Sequence, residues 1–145
     1  MKITFLSFYP MIMFALLLSS FAEAQSIKPG LWKATTTLSL NGITLPASTD
    51  EECVSAEKAA DAKATISKEL EKNGCSISAW NLKGKRLESI LVCKNSDLEA
   101  QGHLRGQLSN ESYDLQGDAE GTFKKIPSSA TLKLVGRWTK KCAKL

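Results

Sequence analysis

The chain has 145 residues, 19 Lys+Arg against 15 Asp+Glu, and a formal net charge of +4. The charges are interspersed and form no Lys/Arg block, which excludes a basic nucleic-acid arm. One histidine and the absence of any C-x-x-C pair among the four cysteines exclude the common zinc signatures.

Met1-Lys2 is a short positive leader to an apolar run from Ile3 to Leu18, and Ala22-Glu23-Ala24 fits an A-x-A cleavage site. Pro10 interrupts the run, which is shorter than the roughly 20 apolar residues of a spanning helix. Residues 1–24 read as a secretory signal removed after Ala24, with no stable membrane anchor afterwards. Residues 25–145 then read as a single exported domain able to bury a core.

The first predicted element of the mature chain is a hairpin. Trp32, Ala34, Thr36, Leu38 and Leu40 alternate with polar residues, and Asn41-Gly42 is the dipeptide that a type I′ turn favours. This register sets Leu40 against Ile43 and Leu38 against Leu45. A helix is expected over about 56–72, with Ser55 as N-cap and Asn73-Gly74 as its stop. Ala59, Ala62, Ile66 and Leu70 form its narrow apolar stripe.

From Cys75 to Lys94 the period becomes that of strands. A second hairpin folds about Gly84, and with Leu82 opposite Arg86, Ile77 faces Leu91 and Cys75 faces Cys93. That face carries Cys75, Ile77, Ala79, Leu87, Leu91 and Cys93. The other carries Trp80, Leu82, Ile90 and Val92, an apolar patch that must meet either the helix or a partner.

Two long strands follow. Leu98, Ala100, Gly102, Leu104, Gly106 and Leu108 alternate with polar residues, as do Tyr113, Leu115, Gly117, Ala119, Gly121 and Phe123. One wet and one dry face is the mark of an antiparallel sheet. The glycines on the dry face let the sheet bend, make room for the helix or an aromatic ring, or leave a cavity. Pro127-Ser128-Ser129 is read as a break, and a last strand runs over Ala130–Thr139.

About seven strands and one helix thus form an antiparallel meander, a mainly β fold whose sheet is curved or barrel-like. Four cysteines in a small exported domain imply two disulfides. If the hairpin joins Cys75 to Cys93, Cys53 is left with Cys142, a bond enclosing 88 intervening residues and contributing roughly 4–5 kcal/mol by the chain-entropy model.

"IKPGLWKATTT" near the mature start, "ECVSAEKA" entering a helix, the paired cysteines in mid-chain and a cysteine near the C-terminus resemble the domain-of-unknown-function 3617 family. These are small exported proteins of Gram-negative bacteria. The chain has "GITLPAS" where that family commonly has a Gly-Met-Pro-rich segment. The resemblance implies a periplasmic location and four structural cysteines, and brings no catalytic residue.

The search for chemistry returns little. His103 sits between Gly102 and Leu104 on a polar strand face. Asp114, Asp118 and Glu120, with Asp97 and Glu99 on the neighbouring strand, form an acidic face that reads first as wet sheet surface. No P-loop, dinucleotide fingerprint, zinc signature or EF-hand loop is present, so no cofactor, metal or nucleic acid is expected. The leading functional expectation is a non-enzymatic binder of an apolar small molecule or lipid, in a cavity opened by the inward glycines. The second is an interaction module, such as an inhibitor of an envelope-attacking hydrolase, presenting Lys83–Lys85 or Ser109–Glu111 to an envelope protein. The third is a hydrolase using the acidic face.

Overall fold

A computed structural model describes residues 25–71 and 74–143; the expected signal segment 1–24 and Asn73 of the expected helix stop lie outside the described residues. The elements in chain order are β1 (Gly30–Leu40), β2 (Ile43–Thr44), β3 (Ser48–Val54), α1 (Ala56–Ala59), α2 (Ala62–Glu71), β4 (Cys75–Lys83), β5 (Arg86–Lys94), β6 (Leu98–Leu108), β7 (Ser112–Phe123) and β8 (Ile126–Lys140). All strand pairs are antiparallel, in the order β2-β1-β8-β7-β6-β5-β4, with β3 also on β1. The meander from β4 to β8 is as expected, and β1 joins it along β8. The sheet is open and curled, with β3 and β4 at its two edges.

The first hairpin follows the expected register. Asn41 and Gly42 both have positive φ, Leu40 pairs with Ile43, and the Leu45 N–H donates to the Leu38 carbonyl at 2.8 Å. β3 was not expected. Its Asp50, Glu51 and Glu52 are poor strand formers, yet they suit an edge, where charge discourages pairing with a second chain.

The expected helix is two helices. Ser55 does cap the first, accepting from the Lys58 N–H at 3.3 Å. The break at Ala60-Asp61 has two causes. The segment before β1 inserts there: the Ile27 N–H donates to the Ala59 carbonyl at 2.9 Å, and the Gln25 carbonyl accepts from the Ala62 N–H at 3.1 Å. Asp61 then restarts the helix as a new cap, its Oδ1 accepting from the Ala64 N–H at 3.0 Å. The apolar stripe survives the break: Ala59, Ala62 and Leu70 are buried, and Ile66 packs on both core clusters.

The second hairpin departs from expectation by one residue. Cys75 faces Cys93 and Ile77 faces Leu91, as read from the sequence. A bulge at Ser78 then shifts the register, so that Ala79 faces Ile90, Trp80 faces Ser89 and Leu82 faces Leu87. The turn is accordingly Gly84-Lys85, with Lys83 opposite Arg86. The bulge carries Trp80 and Leu82 to the inner face and Ala79 to the outer. The apolar patch of Trp80, Leu82, Ile90 and Val92 therefore does not exist as one surface. Trp80 and Leu82 pack into the core, against which α2 is laid; Ile90 and Val92 stay on the opposite face, half-buried.

β8 also begins earlier than expected. Pro127 does not break it but pairs with Thr122. The pairing of β1 with β8 ends at Ala130, so at Pro127 one side of β8 has no β1 neighbour to receive an N–H, the position that a proline tolerates.

Both disulfides are formed as inferred, Cys53–Cys142 and Cys75–Cys93. Leu87, Leu104, Leu108 and Leu115 are the largest side chains shut off from water. Gly102, Gly106 and Gly121 admit close backbone approach, and Gly136 makes room for a ring. A Cβ on Gly102 would fall on the carbonyl of Asp118, and one on Gly136 on the ring of Tyr113. The first marks a sharp coil of β6 against β7; the second is the seat of an aromatic ring.

Candidate functional site: an apolar pocket under the second helix

The helical segment does not fill the hollow of the sheet. Between α2 and the inner face lies a pocket of about 400 Å³. Its floor is apolar, with Trp32 and Ala34 from β1, Leu115 from β7 and Leu132 and Leu134 from β8. Ile66 and Leu70 of α2 form the roof. Trp32 is held rigidly: its ring stacks on Tyr113 at 5.9 Å between centroids, and its indole N–H donates to the Lys28 carbonyl at 2.8 Å.

The space comes from small side chains and from the edge strand. On β1, Ala34 and Thr36 leave room that larger residues would occupy. On β3, Ser48, Asp50 and Glu52 share a face with Val54 and make a polar wall at the mouth. Glu52 is held by Lys58 at 2.9 Å. Among the described residues no Lys or Arg lines the pocket. The inward glycines of β6 and β7 do not line it either, contrary to the expectation that they would open it. What the arrangement can do is take an apolar body against fixed aromatic and aliphatic walls. Its volume lies within the range of about 300–1,000 Å³ usual for small-molecule sites.

The other candidates lie elsewhere. His103 is exposed on the outer face opposite Asp118, beside a shallow hollow of about 410 Å³ that also includes Arg86, Glu88 and Arg105. Asp118 is paired with Arg105 at 2.6 Å. Glu99 and Glu120 are spread along the same exposed surface, and Asp114 is half-buried at its other end. Among the described residues no group of three His, Cys, Asp or Glu side chains could hold a metal ion. Of the two loops considered for partner contact, Ser109–Glu111 is tied down: Lys28 donates its N–H to Asn110 and its ammonium to Glu111. Lys83–Lys85 is an exposed hairpin tip.

Sequence reasoning expected a cavity but missed its lining, because the mouth depends on β3, whose acidic residues do not read as a strand. The polar residues Ser48, Asp50 and Glu52 alternating up to Val54 were the available signal.

Among the described residues no helix is long and apolar enough to cross a membrane. No curated protein and no solved structure gives a match to this chain. A family model described as "Protein of unknown function (DUF3617)" matches residues 27–142, and with the match running from the strand-entry segment to the last cysteine, the chain belongs to that family.

Proposed function

We propose that the protein is an exported, non-enzymatic binder of an apolar small molecule or lipid, and that the ligand lies in the pocket beneath α2. The observation that carries this reading is the apolar cavity of about 400 Å³ between a rigid sheet floor and the helix. Removing apolar surface from water contributes roughly 25 cal/mol per Å², so even part of a short hydrocarbon chain would gain from entering. Export is supported by the leader-like N-terminus and by two disulfides, which persist in oxidising compartments.

The test uses N-phenyl-1-naphthylamine, a neutral apolar fluorophore, with the oxidised mature protein. Saturable binding near one per chain is expected. Ala34 points into the pocket from the floor, so Ala34→Phe should fill it and weaken binding at least about tenfold, with both disulfides retained. Fluorophore binding unchanged by Ala34→Phe would place the site elsewhere, and no binding at all would remove the reading. Native mass spectrometry of protein taken from its own compartment then identifies the natural ligand.

A further inference from the structure

The inner face of the sheet stays apolar well beyond the reach of α2. Past the pocket come Leu38 and Leu40, half-buried, and then side chains in open water. Ile43 is 69% exposed, Leu45 40%, Phe123 44% and Ile126 64%. All four lie at the same end of the sheet. Ile43 pairs with Leu40, Leu40 with Ala130, and β8 runs on from Ala130 back to Ile126 opposite Phe123. The β7–β8 hairpin extends beyond β1, because β1 stops pairing at Ala130 while β7 and β8 continue for four more paired positions, Ser129 to Ile126; the β5–β6 turn lies beside it, Leu98 pairing with Phe123.

The turn at this tip is unusual. Lys124 and Lys125 occupy both central positions, with φ of +49° and +66°. A turn of this kind favours Asn-Gly, because side chains with a Cβ are strained at positive φ. The first hairpin of the same chain uses Asn41-Gly42. Here the strain is accepted and two long cations are placed beyond an exposed Phe and Ile; the Lys124 ammonium lies 5.6 Å from the centre of the Phe123 ring. Strain kept where a relaxed alternative exists is the kind of outlier from which a function can be inferred.

We propose that this end of the molecule docks on an anionic phospholipid surface, with Phe123 and Ile126 entering the headgroup region and Lys124 and Lys125 meeting phosphate oxygens. A protruding hairpin tip does not offer the roughly 800 Å² per partner of a stable protein–protein interface, whereas insertion into lipid needs only a few apolar side chains at the right depth. Aromatic and long cationic side chains together suit the bilayer interface, where ring and stem sit in the apolar zone and the charge stays wet. Asp97 and Glu99 flank the tip, since the Lys124 N–H donates to the Asp97 carbonyl and Glu99 pairs with Thr122. The attachment is weak and reversible, and it is separate from the pocket.

The experiment is co-sedimentation of the oxidised mature protein with vesicles of phosphatidylethanolamine and phosphatidylglycerol, against vesicles of phosphatidylcholine alone. Partition should be at least about tenfold stronger on the anionic vesicles and should fall with added salt. Two variants separate docking from folding. Phe123→Ser with Ile126→Ser removes the inserting side chains and should abolish partition. Lys124→Asn with Lys125→Gly relaxes the turn and should raise the melting temperature by about 2–5 °C while lowering partition on anionic vesicles about tenfold. Both variants should bind N-phenyl-1-naphthylamine as the native chain does, which keeps this outcome distinct from that of the pocket. Absence of partition by the native protein, equal partition on both vesicle types, or full partition by the Lys124→Asn, Lys125→Gly chain overturns the proposal.

Discussion

Gly102 and Gly117 sit on the same inner face, on adjacent strands, yet only one of them has room for a methyl group. A Cβ on Gly102 would overlap the backbone carbonyl of Asp118, which cannot move without breaking the ladder between β6 and β7. A Cβ on Gly117 would meet the Leu132 Cβ at 3.4 Å and a Leu104 methyl at 3.5 Å, ordinary contacts. Gly102→Ala should therefore cost roughly 1–3 kcal/mol, as overpacking does. Gly117→Ala should be near neutral or gain a few tenths through the unfolded chain. Urea unfolding at unchanged m-value reads both; equal costs would mean that the bend of β6 is not what the glycine serves. Trp138 of β8, packed on the start of β1, follows the same logic of backbone access. The Trp138 indole donates to the Pro29 carbonyl at 3.1 Å, lies where a Cβ on Gly30 would be, and carries Lys28 over its ring at 3.7 Å. The segment Lys28–Trp32, part of the first stretch that resembles the family, is thus a knot of main-chain and indole contacts and forms part of the pocket floor through Trp32 alone.

At the scale of elements, legibility followed the strength of local rules. Asn41-Gly42 fixed its hairpin because the turn needs positive φ twice and these residues supply it. Lys124-Lys125 makes a turn with the same signs of φ but was not legible, because lysine carries no such preference. β3 was hidden by its three consecutive acids, and the kink after α1 by a tertiary event, the insertion of Gln25–Ile27, that no local pattern announces. The Ser78 bulge was equally silent, and it decided the fate of the candidate patch: one extra residue moved Trp80 and Leu82 from the outer face to the core. The bulge is also removable in principle. With Ser78 deleted, Ile77 would still face inward, Ala79 outward and Trp80 inward, in unbroken alternation. The deletion should leave Cys75 linked to Cys93 and cost no more than about 1–2 kcal/mol, within the ordinary range for single changes. Deleting Asn81 instead would force either Trp80 or Leu82 out of the core and should cost well above that. Peptide mapping without reduction and urea unfolding test the pair, and the reverse order of costs would show that the bulge itself, rather than the alternation it permits, holds the strand.

Across the whole molecule, the open sheet has two edges, and each edge strand is tied by a disulfide. Cys75 binds β4 to β5. Cys53 binds β3 to the tail after β8: β3 and β8 lie on opposite sides of β1, roughly 10 Å apart at ordinary strand spacing, and the tail past Lys140 turns back until the two cysteine Cα atoms are 5.9 Å apart. The two bonds differ in what they constrain. Cys75–Cys93 closes a hairpin that its own ladder already favours, with a sequence separation of 18; Cys53–Cys142 spans 89 and encloses both helices and five strands. In the chain-entropy account the first contributes about 3 kcal/mol and the second about 4–5 kcal/mol. The longer bond also holds the wall of the pocket, since among the described residues β3 pairs with no strand but β1 and carries Ser48, Asp50 and Glu52. Cys53→Ala with Cys142→Ala should therefore lose more stability in urea than Cys75→Ala with Cys93→Ala. Before global unfolding, it should also loosen N-phenyl-1-naphthylamine binding and raise amide exchange along Ser48–Val54. If the hairpin pair proves the costlier, or if β3 exchanges at the native rate without its disulfide, then hydrogen bonding to β1 suffices to hold the wall, and the long bond acts on the unfolded chain alone.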